Sequence, residues 1–451
     1  MVFLTAYPFA LSLAFLAGWV EASKQIVPGA TITAAGTNQH MQAHGGGIIQ
    51  VDSVYYMIGE NKLNGSAYQS INCYSSTDLV SWTFVNEVLE LENDGDLGPN
   101  RVVERPHVIF NEETGTYVMW MHIDSHDYKE AKAGVATSDS ICGDYKYMGS
   151  VQPLGFQSRD MNLFKDTDGT AYLLTEDRKN GLRINKLSKD YLTVDSPVHL
   201  FKESYEASAI YKEGGTYFMF ASRLTGWDPN DNEYCTASSL SGPWSSWTPF
   251  VPVGSKTFSS QTAAVVNVNG VVMYMGDRWK KENLMTSTYV WLPLKLSGTT
   301  ASMEDKVNWV LDISAGTWAA GPKETSTEAE ASTNILANGA KVIDCKPCSG
   351  GKSVGYIGGS TGGTLTMEVT SIQPTNSTIR VHYVNGDKTQ RYATVVVNDV
   401  TTVMAFVPTS GGKPMDSLLT VPLKAGKNTV KFEAYEGGWG PDIDRLMVPS
   451  Y

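Results

Sequence analysis

The sequence predicts an all-β protein of two domains, a five-bladed β-propeller followed by a β-sandwich of jelly-roll type. Three observations predict it. The chain has 451 residues, too many for one ordinary domain. Tyr, Trp, Thr, Val and Gly are abundant, helix signals are scarce, and short alternating runs are separated by Gly, Asn and Asp turns. One unit, an apolar strand, a tight turn and a second apolar strand, recurs five times at roughly 45- to 60-residue spacing.

Residues 1–24 read as a secretion signal. Phe3 to Val20 form an apolar run, and small residues follow at Ala22 and Ser23, which places a mature start near Gln25. The run is just long enough to span a membrane and no Lys or Arg precedes it, so a signal anchor is the competing reading. No other segment is apolar enough to span, so the expected product is secreted, extracellular and free of membrane. Sequons at Asn64 and Asn376 are compatible with that route. A net charge of −12 argues against a nucleic-acid partner, which needs a basic face, and suits neutral or weakly charged ligands. Of five cysteines, Cys345 and Cys348 are spaced for a local disulfide, while Cys73, Cys142 and Cys235 are expected to be buried small residues.

The propeller is assigned to residues 25–316. Its five strand pairs are residues 42–49 with 54–61, 104–110 with 115–122, 159–164 with 168–174, 205–211 with 214–220, and 261–266 with 269–277. Polar runs at 74–82, 136–140 and 236–244 supply outer strands. Repeats of this kind fit a radial array better than a sandwich. Residues 317–327 read as a linker, with Gly321-Pro322 at its centre. From Glu328 the texture changes to short antiparallel strands over about 120 residues, assigned to the sandwich at 328–451.

The first strand of each propeller blade lines the axis, so equivalent positions converge at one end of a channel. Here they hold His44 or its neighbours, Glu104, Asp160, Glu206 and Gln261. Carboxylates gathered across a channel raise one another's pKa and can keep one acid protonated near neutrality. Glycoside hydrolysis needs such an acid on the leaving oxygen and a second group that activates water or attacks. Trp227 with Thr225, and Trp279 after Asp277-Arg278, offer indole faces for a sugar ring; Glu60 and Asn61 are candidates for its hydroxyls. The competing structural reading is that strand-start carboxylates solvate turns and that the tryptophans pack between blades.

At these residues the chain resembles glycoside hydrolase family 43, most of all its exo-β-1,3-galactanase branch. The resemblance covers roughly residues 38–312 and rests on Gln42-Ala43-His44-Gly45-Gly46-Gly47, Gly59-Glu60-Asn61, Glu104-Arg105-Pro106, Ser158-Arg159-Asp160-Met161, Glu206-Ala207, Thr225-Gly226-Trp227 and Met275-Gly276-Asp277-Arg278-Trp279. It implies a five-bladed propeller and an inverting hydrolase with no catalytic cofactor, with Glu206 as acid and Asp160 as the residue that tunes it. The family's base aspartate in the first blade has no counterpart here. In the galactanase branch a glutamine in the last blade stands in its place, and Gln261 matches it. A plain amide is not a base at ordinary pH. Gln261 would orient the attacking water or act through an imidic tautomer, with Glu104 binding the sugar; His44 and Glu104 are rival water activators. The implied substrate is β-1,3-galactan, as in arabinogalactan, and the enzyme is expected to act as a monomer. Another family-43 glycosidase and a non-catalytic glycan-binding propeller are the alternatives.

The C-terminal part resembles carbohydrate-binding module family 35 through Glu328-Ala329-Glu330, Gly355-Tyr356-Ile357-Gly358, Arg391-Tyr392 and Gly438 to Asp444. The resemblance implies a galactose site at Tyr356, Arg391, Trp439 and Asp442. Glu328 and Glu330, two apart on a strand, point to one face, and with Asp444 they are the expected ligands of a structural Ca²⁺.

Overall fold

A computed structural model describes residues 24–450. The expected secretion signal lies outside them apart from Lys24.

The chain is all-β. Its N-terminal two thirds contain five four-stranded antiparallel sheets, each in simple meander order. Their first strands are His44–Val51, Val102–Asn111, Met161–Lys165, Tyr205–Glu213 and Gln261–Val268. Each first strand packs against the next, and Gln261–Val268 returns to His44–Val51, so the sheets stand in a closed ring consistent with a propeller. Apolar cores fill the spaces between successive sheets. Trp120 and Leu173, for example, meet between the second and third sheets, and Leu174 and Met219 meet between the third and fourth. The turns obey their local chemistry: Asn269 (φ 45°) and Gly270 (φ 98°) both adopt the left-handed conformation that a two-residue hairpin loop requires.

One local device repeats at the mouth of the ring. The pairing register shifts just after His44, Glu104, Glu206 and Thr262, each time on the first strand of a sheet. In three of these bulges the residue after the site position is left-handed, namely Gly45 (φ 62°), Arg105 (φ 53°) and Ala207 (φ 53°). A bulge re-aims a side chain out of the regular pleat. For Arg105 and Ala207, which carry a Cβ, the conformation costs on the order of 1 kcal/mol or more, a cost typical of functional sites.

The C-terminal third forms two further sheets. One includes Thr375–Val384, Met415–Leu423 and Asp442–Pro449; the other includes Thr364–Ser371, Gly426–Ala434 and Arg391–Val397. Their inner faces share one core, with Phe406, Phe432, Tyr383 and Ile443 fully buried.

Two expectations change here. Residues 317–327 are not irregular. Thr317–Ala320 pairs with Trp309–Asp312 in a small three-stranded sheet with Gln25–Ile26, and Glu324–Glu328 pairs with Asp442–Pro449 in a C-terminal sheet. Cys73 and Cys142 are not merely small buried residues but form a disulfide that joins the first and second sheets. Their separation of 69 residues gave no local sign of pairing. Cys345–Cys348 is bridged as expected, and Cys235 is buried and free. The start of the described chain ties the two parts together: the Gln25 N–H donates to Thr378 Oγ1 at 3.0 Å, and Thr31–Ile32 pairs parallel with Met415–Leu423.

Candidate active site

A cavity of about 280 Å³ opens at the mouth of the ring and is lined by Glu60, Glu104, Asp160, Glu206, Gln261, Trp227 and Trp279 among others. All four predicted catalytic residues are therefore brought together. Glu206 is 6% exposed. Burial, reinforced by the nearby Asp160 and Glu176 carboxylates, pushes its pKa up to about 9. It is thus a protonated acid at neutral pH.

Arg105 organises the other side. Its buried guanidinium lies 3.1 Å from Asp160 Oδ2, and it donates to the Thr262 carbonyl at 2.8 Å and to Gln261 Oε1 at 2.6 Å. Gln261 Oε1 also accepts from Trp279 Nε1 at 2.9 Å, while Gln261 Nε2 donates to Glu206 Oε1 and to Ser222 Oγ, each at 3.0 Å. All four hydrogen-bonding positions of the amide are used. An imidic tautomer with its hydroxyl on Oε1 would face two donors and no acceptor, so these contacts favour an orienting amide over a tautomeric base.

Glu60 sits opposite, with Lys62 Nζ at 2.6 Å and the Arg105 backbone N–H at 2.9 Å. Trp227 and Trp279 stand edge to face at 5.0 Å and form an indole wall. Three predicted substrate residues do not line the cavity. His44 is fully buried behind Trp279, its Nδ1 2.9 Å from Asp277 Oδ1, because pairing with Asp277 fastens the last sheet to the first. Asn61 turns to Ser70 and the Leu63 N–H, forming a local turn. Thr225 is exposed and holds its own loop through the Asp228 carbonyl and Asn230.

Sequence reasoning picked out Glu60 but missed the second ring to which it belongs. The first-strand positions pair across their hairpins with Glu60, His122, Ser222 and Asp277, and Glu176 stands in the same relation to Asp160. The signal was available. The separation is 16 residues from His44 to Glu60, Asp160 to Glu176, Glu206 to Ser222 and Gln261 to Asp277, and 18 from Glu104 to His122. Glu176 is buried beside the cavity with Oε2 unpartnered, and Arg178 joins it to Glu206, with Nε 2.6 Å from Glu176 Oε1 and Nη2 3.6 Å from Glu206 Oε2.

Among the described residues, one group resembles a metal-ligand set, Glu104, His122 and Asp160, whose ligand atoms lie within 4.8 Å of one another. Protein cations already serve it: Arg105 holds Asp160, and the His122 ring bridges Glu104 and Asp124.

The model of the glycosyl hydrolases family 43 matches residues 43–279. The chain belongs to glycosyl hydrolase family 43. The family-43 ring also matches solved structures over most of its length. An exo-β-1,3-galactanase from Phanerochaete chrysosporium, crystallised with galactose, is 36% identical over 94% of this chain and 100% of that one, with a TM-score of 0.67. A glutamate-to-glutamine variant of that enzyme, crystallised with β-1,3-galactotriose, is 35% identical over the same shares, with a TM-score of 0.67. An exo-β-1,3-galactanase from Clostridium thermocellum shares the fold at 23% identity over 93% of this chain and 99% of that one, with a TM-score of 0.63. No curated protein matches the chain. This family-43 protein is therefore a glycoside hydrolase, of a family that needs no catalytic cofactor.

The C-terminal candidates also come together. Tyr356 and Trp439 are 48% and 45% exposed, an apolar surface such as a sugar face would cover, with ring centroids 6.1 Å apart. Gly359 makes this possible: a Cβ there would meet the Trp439 ring at 2.4 Å. Arg391 Nη1 donates to the Gly440 carbonyl at 3.1 Å, and burial raises the Asp442 pKa against the Arg391 charge. Near the sheet edge, Ser349 donates to Asp444 Oδ1 at 3.1 Å and Glu328 Oε1 at 2.9 Å. Glu328 Oε2, Glu330 Oε2 and Asp444 Oδ2 are buried without hydrogen-bond partners, with His382 Nε2 at 3.8 Å and Arg445 Nε at 4.0 Å from Asp444 Oδ2. Carboxylate oxygens are the donors that a hard divalent cation such as Ca²⁺ takes, though these three are not gathered within 4.8 Å of one another as those of Glu104, His122 and Asp160 are.

Proposed function

We propose that this protein is a secreted, monomeric exo-β-1,3-galactanase that inverts configuration and releases galactose from the non-reducing end of β-1,3-galactan chains. In this reading the ring is a five-bladed propeller, and the C-terminal sheets are a family-35 carbohydrate-binding sandwich with a galactose site at Tyr356, Arg391, Trp439 and Asp442. The observation that carries it is a buried Glu206, its pKa raised by burial and by Asp160 and Glu176, beside a carboxylate-rich cavity walled by Trp227 and Trp279. Likeness to two P. chrysosporium exo-β-1,3-galactanase structures, one holding galactotriose, supports the substrate.

Glu206 gives its proton to the glycosidic oxygen, while Asp160, held by Arg105, keeps Glu206 protonated through its charge. Glu104, ionised, accepts a sugar hydroxyl. Gln261 orients the attacking water by exchanging its Nε2–Ser222 contact for the water oxygen, while Arg105 and Trp279 hold its Oε1 in place. Linear β-1,3-galactan should yield α-galactose as the first anomer seen by NMR, with the rate falling above about pH 9 as Glu206 ionises. Release of β-galactose would defeat inversion. No release, with activity on arabinosides or xylosides, would defeat the substrate.

The module tethers the enzyme to its polymer and raises local concentration. Glu328, Glu330 and Asp444 would hold a structural Ca²⁺, which screens their mutual repulsion and takes no part in the reaction. Chelation by EGTA is expected to lower Tm, since a ligand at 100-fold its Kd stabilises by about 2.7 kcal/mol. A Tm indifferent to EGTA and to added Ca²⁺ would remove the cation from this site.

A further inference from the structure

Six carboxyls crowd the cavity and its wall: Glu60, Glu104, Asp124, Asp160, Glu176 and Glu206. The permanent cations that meet them are four, Lys62, Arg105, Arg159 and Arg178. Protons on Glu206 and on one further group would balance the set. His122 is built to be that group. It is 1% exposed, its Nδ1 lies 3.3 Å from Glu104 Oε2, and its Nε2 lies 3.1 Å from Asp124 Oδ2. With a carboxylate on each nitrogen, only the imidazolium satisfies both contacts, since a neutral ring has one N–H to give.

We propose that His122 is a positioning residue, a fixed positive charge clamped between Glu104 and Asp124 that keeps Glu104 ionised and aimed at a sugar hydroxyl. The proposal rests on the reading of Glu104 as a sugar-binding carboxylate. Glu60 repels Glu104 and works against its ionisation, and the other neighbours offset that. Tyr128 OH donates to the other Glu104 oxygen at 2.9 Å, and its ring stands 6.0 Å from that of His122. Lys62 Nζ lies 3.8 Å from Glu104 Oε1, and Arg159 Nη1 lies 3.5 Å from Asp124 Oδ2. Asp160 adds a third negative charge facing the ring. Burial works against the charge on His122, but the bonds to Asp124 and Glu104 outweigh it and raise the pKa to about 9. Burial likewise opposes ionisation of Glu104, and the His122 bond with the Lys62 charge holds it down to about 2. The charge on the ring is therefore present through the neutral range in which Glu206 is protonated.

The test pairs His122→Gln with the double variant His122→Gln/Asp124→Asn. In the single variant two buried carboxylates lose their shared cation, and the acid limb of kcat/KM should move up by more than about one pH unit. KM should rise about tenfold, as for a lost hydrogen bond to a charged group, with a smaller change in kcat. The double variant restores hydrogen bonding without charge: the introduced glutamine amide could donate to Glu104 and accept from the introduced asparagine amide. Its folding should recover, measured as Tm, while the acid limb stays displaced. An acid limb restored with the fold would show that His122 only scaffolds, and would overturn the proposal. NMR titration of the ring gives a readout independent of any substrate: the signal lost in His122→Gln should stay in the imidazolium form through about pH 8 in the unmodified protein. Titration near the ordinary histidine value would also overturn it. Failure of the wild type on galactan, with this titration intact, would defeat the galactanase reading alone.

Discussion

Replacing Glu206 with glutamine is expected to lower kcat on galactan about 10³-fold, within the range for a lost general acid, while oligosaccharide binding persists. The side chain keeps its shape and its contact with Gln261 but has no proton to give. The same substitution should raise Tm at neutral pH. The native carboxyl keeps its proton up to about pH 9, whereas the unfolded chain releases it near 4.5. Folding above pH 4.5 therefore requires proton uptake, and the contribution of Glu206 to stability is fully present below 4.5 and is lost as pH rises through 9. Glutamine has no such dependence. The Tm advantage of Glu206→Gln should therefore widen between about pH 5 and about pH 8. Equal advantages at both values would mean that the native carboxyl is already ionised, and Glu206 could not be the acid.

Substitution of Arg105 should damage both fold and activity. Its guanidinium is buried and meets Asp160, Gln261 and the Thr262 carbonyl at once. Arg105→Met leaves the partly exposed Asp160 without its ion-pair partner, a change expected to cost less than the roughly 3–5 kcal/mol of a fully buried pair. Arg105→Lys separates the two roles. The charge is retained, but one ammonium cannot reproduce the planar fork that reaches three acceptors. The lysine variant should fold and yet lose about 10²-fold or more in kcat/KM, because a misplaced catalytic group is costly even at about 1 Å. A lysine variant of wild-type activity would show that charge alone suffices and that the amide of Gln261 needs no fixing.

The repeat that reveals the ring also reveals half of the site. Glu104, Asp160, Glu206 and Gln261 share one place in a strand–turn–strand unit, and equivalent places in a closed ring of sheets must converge. Trp227 and Trp279 follow the same hairpins and reach the same cavity. Glu176, His122 and Ser222 obey an equally regular spacing but end the second strand, where polar residues usually mean a turn. Their part in the site emerges only when the hairpin register sets them opposite the first ring.

His44 shows the opposite case. It occupies a first-strand position, but it is drawn to Asp277 and buried. Asn61 and Thr225 likewise satisfy their own loops before they can meet a ligand. The backbone bulges at Glu104 and Glu206, which decide where those side chains aim, have no residue signature, since Arg105 and Ala207 are not residues that favour a left-handed conformation.

The sequence by itself determined the all-β class, the repeating unit, the Cys345–Cys348 bridge and the carboxylates that would share a channel, because alternation and spacing are local properties. Only the tertiary structure decided which polar residues face the cavity, that Cys73 meets Cys142, and that Glu206 keeps its proton. Those outcomes depend on burial and on charges brought from distant strands, and a pKa is set by every group within a few ångströms, whatever its distance along the chain.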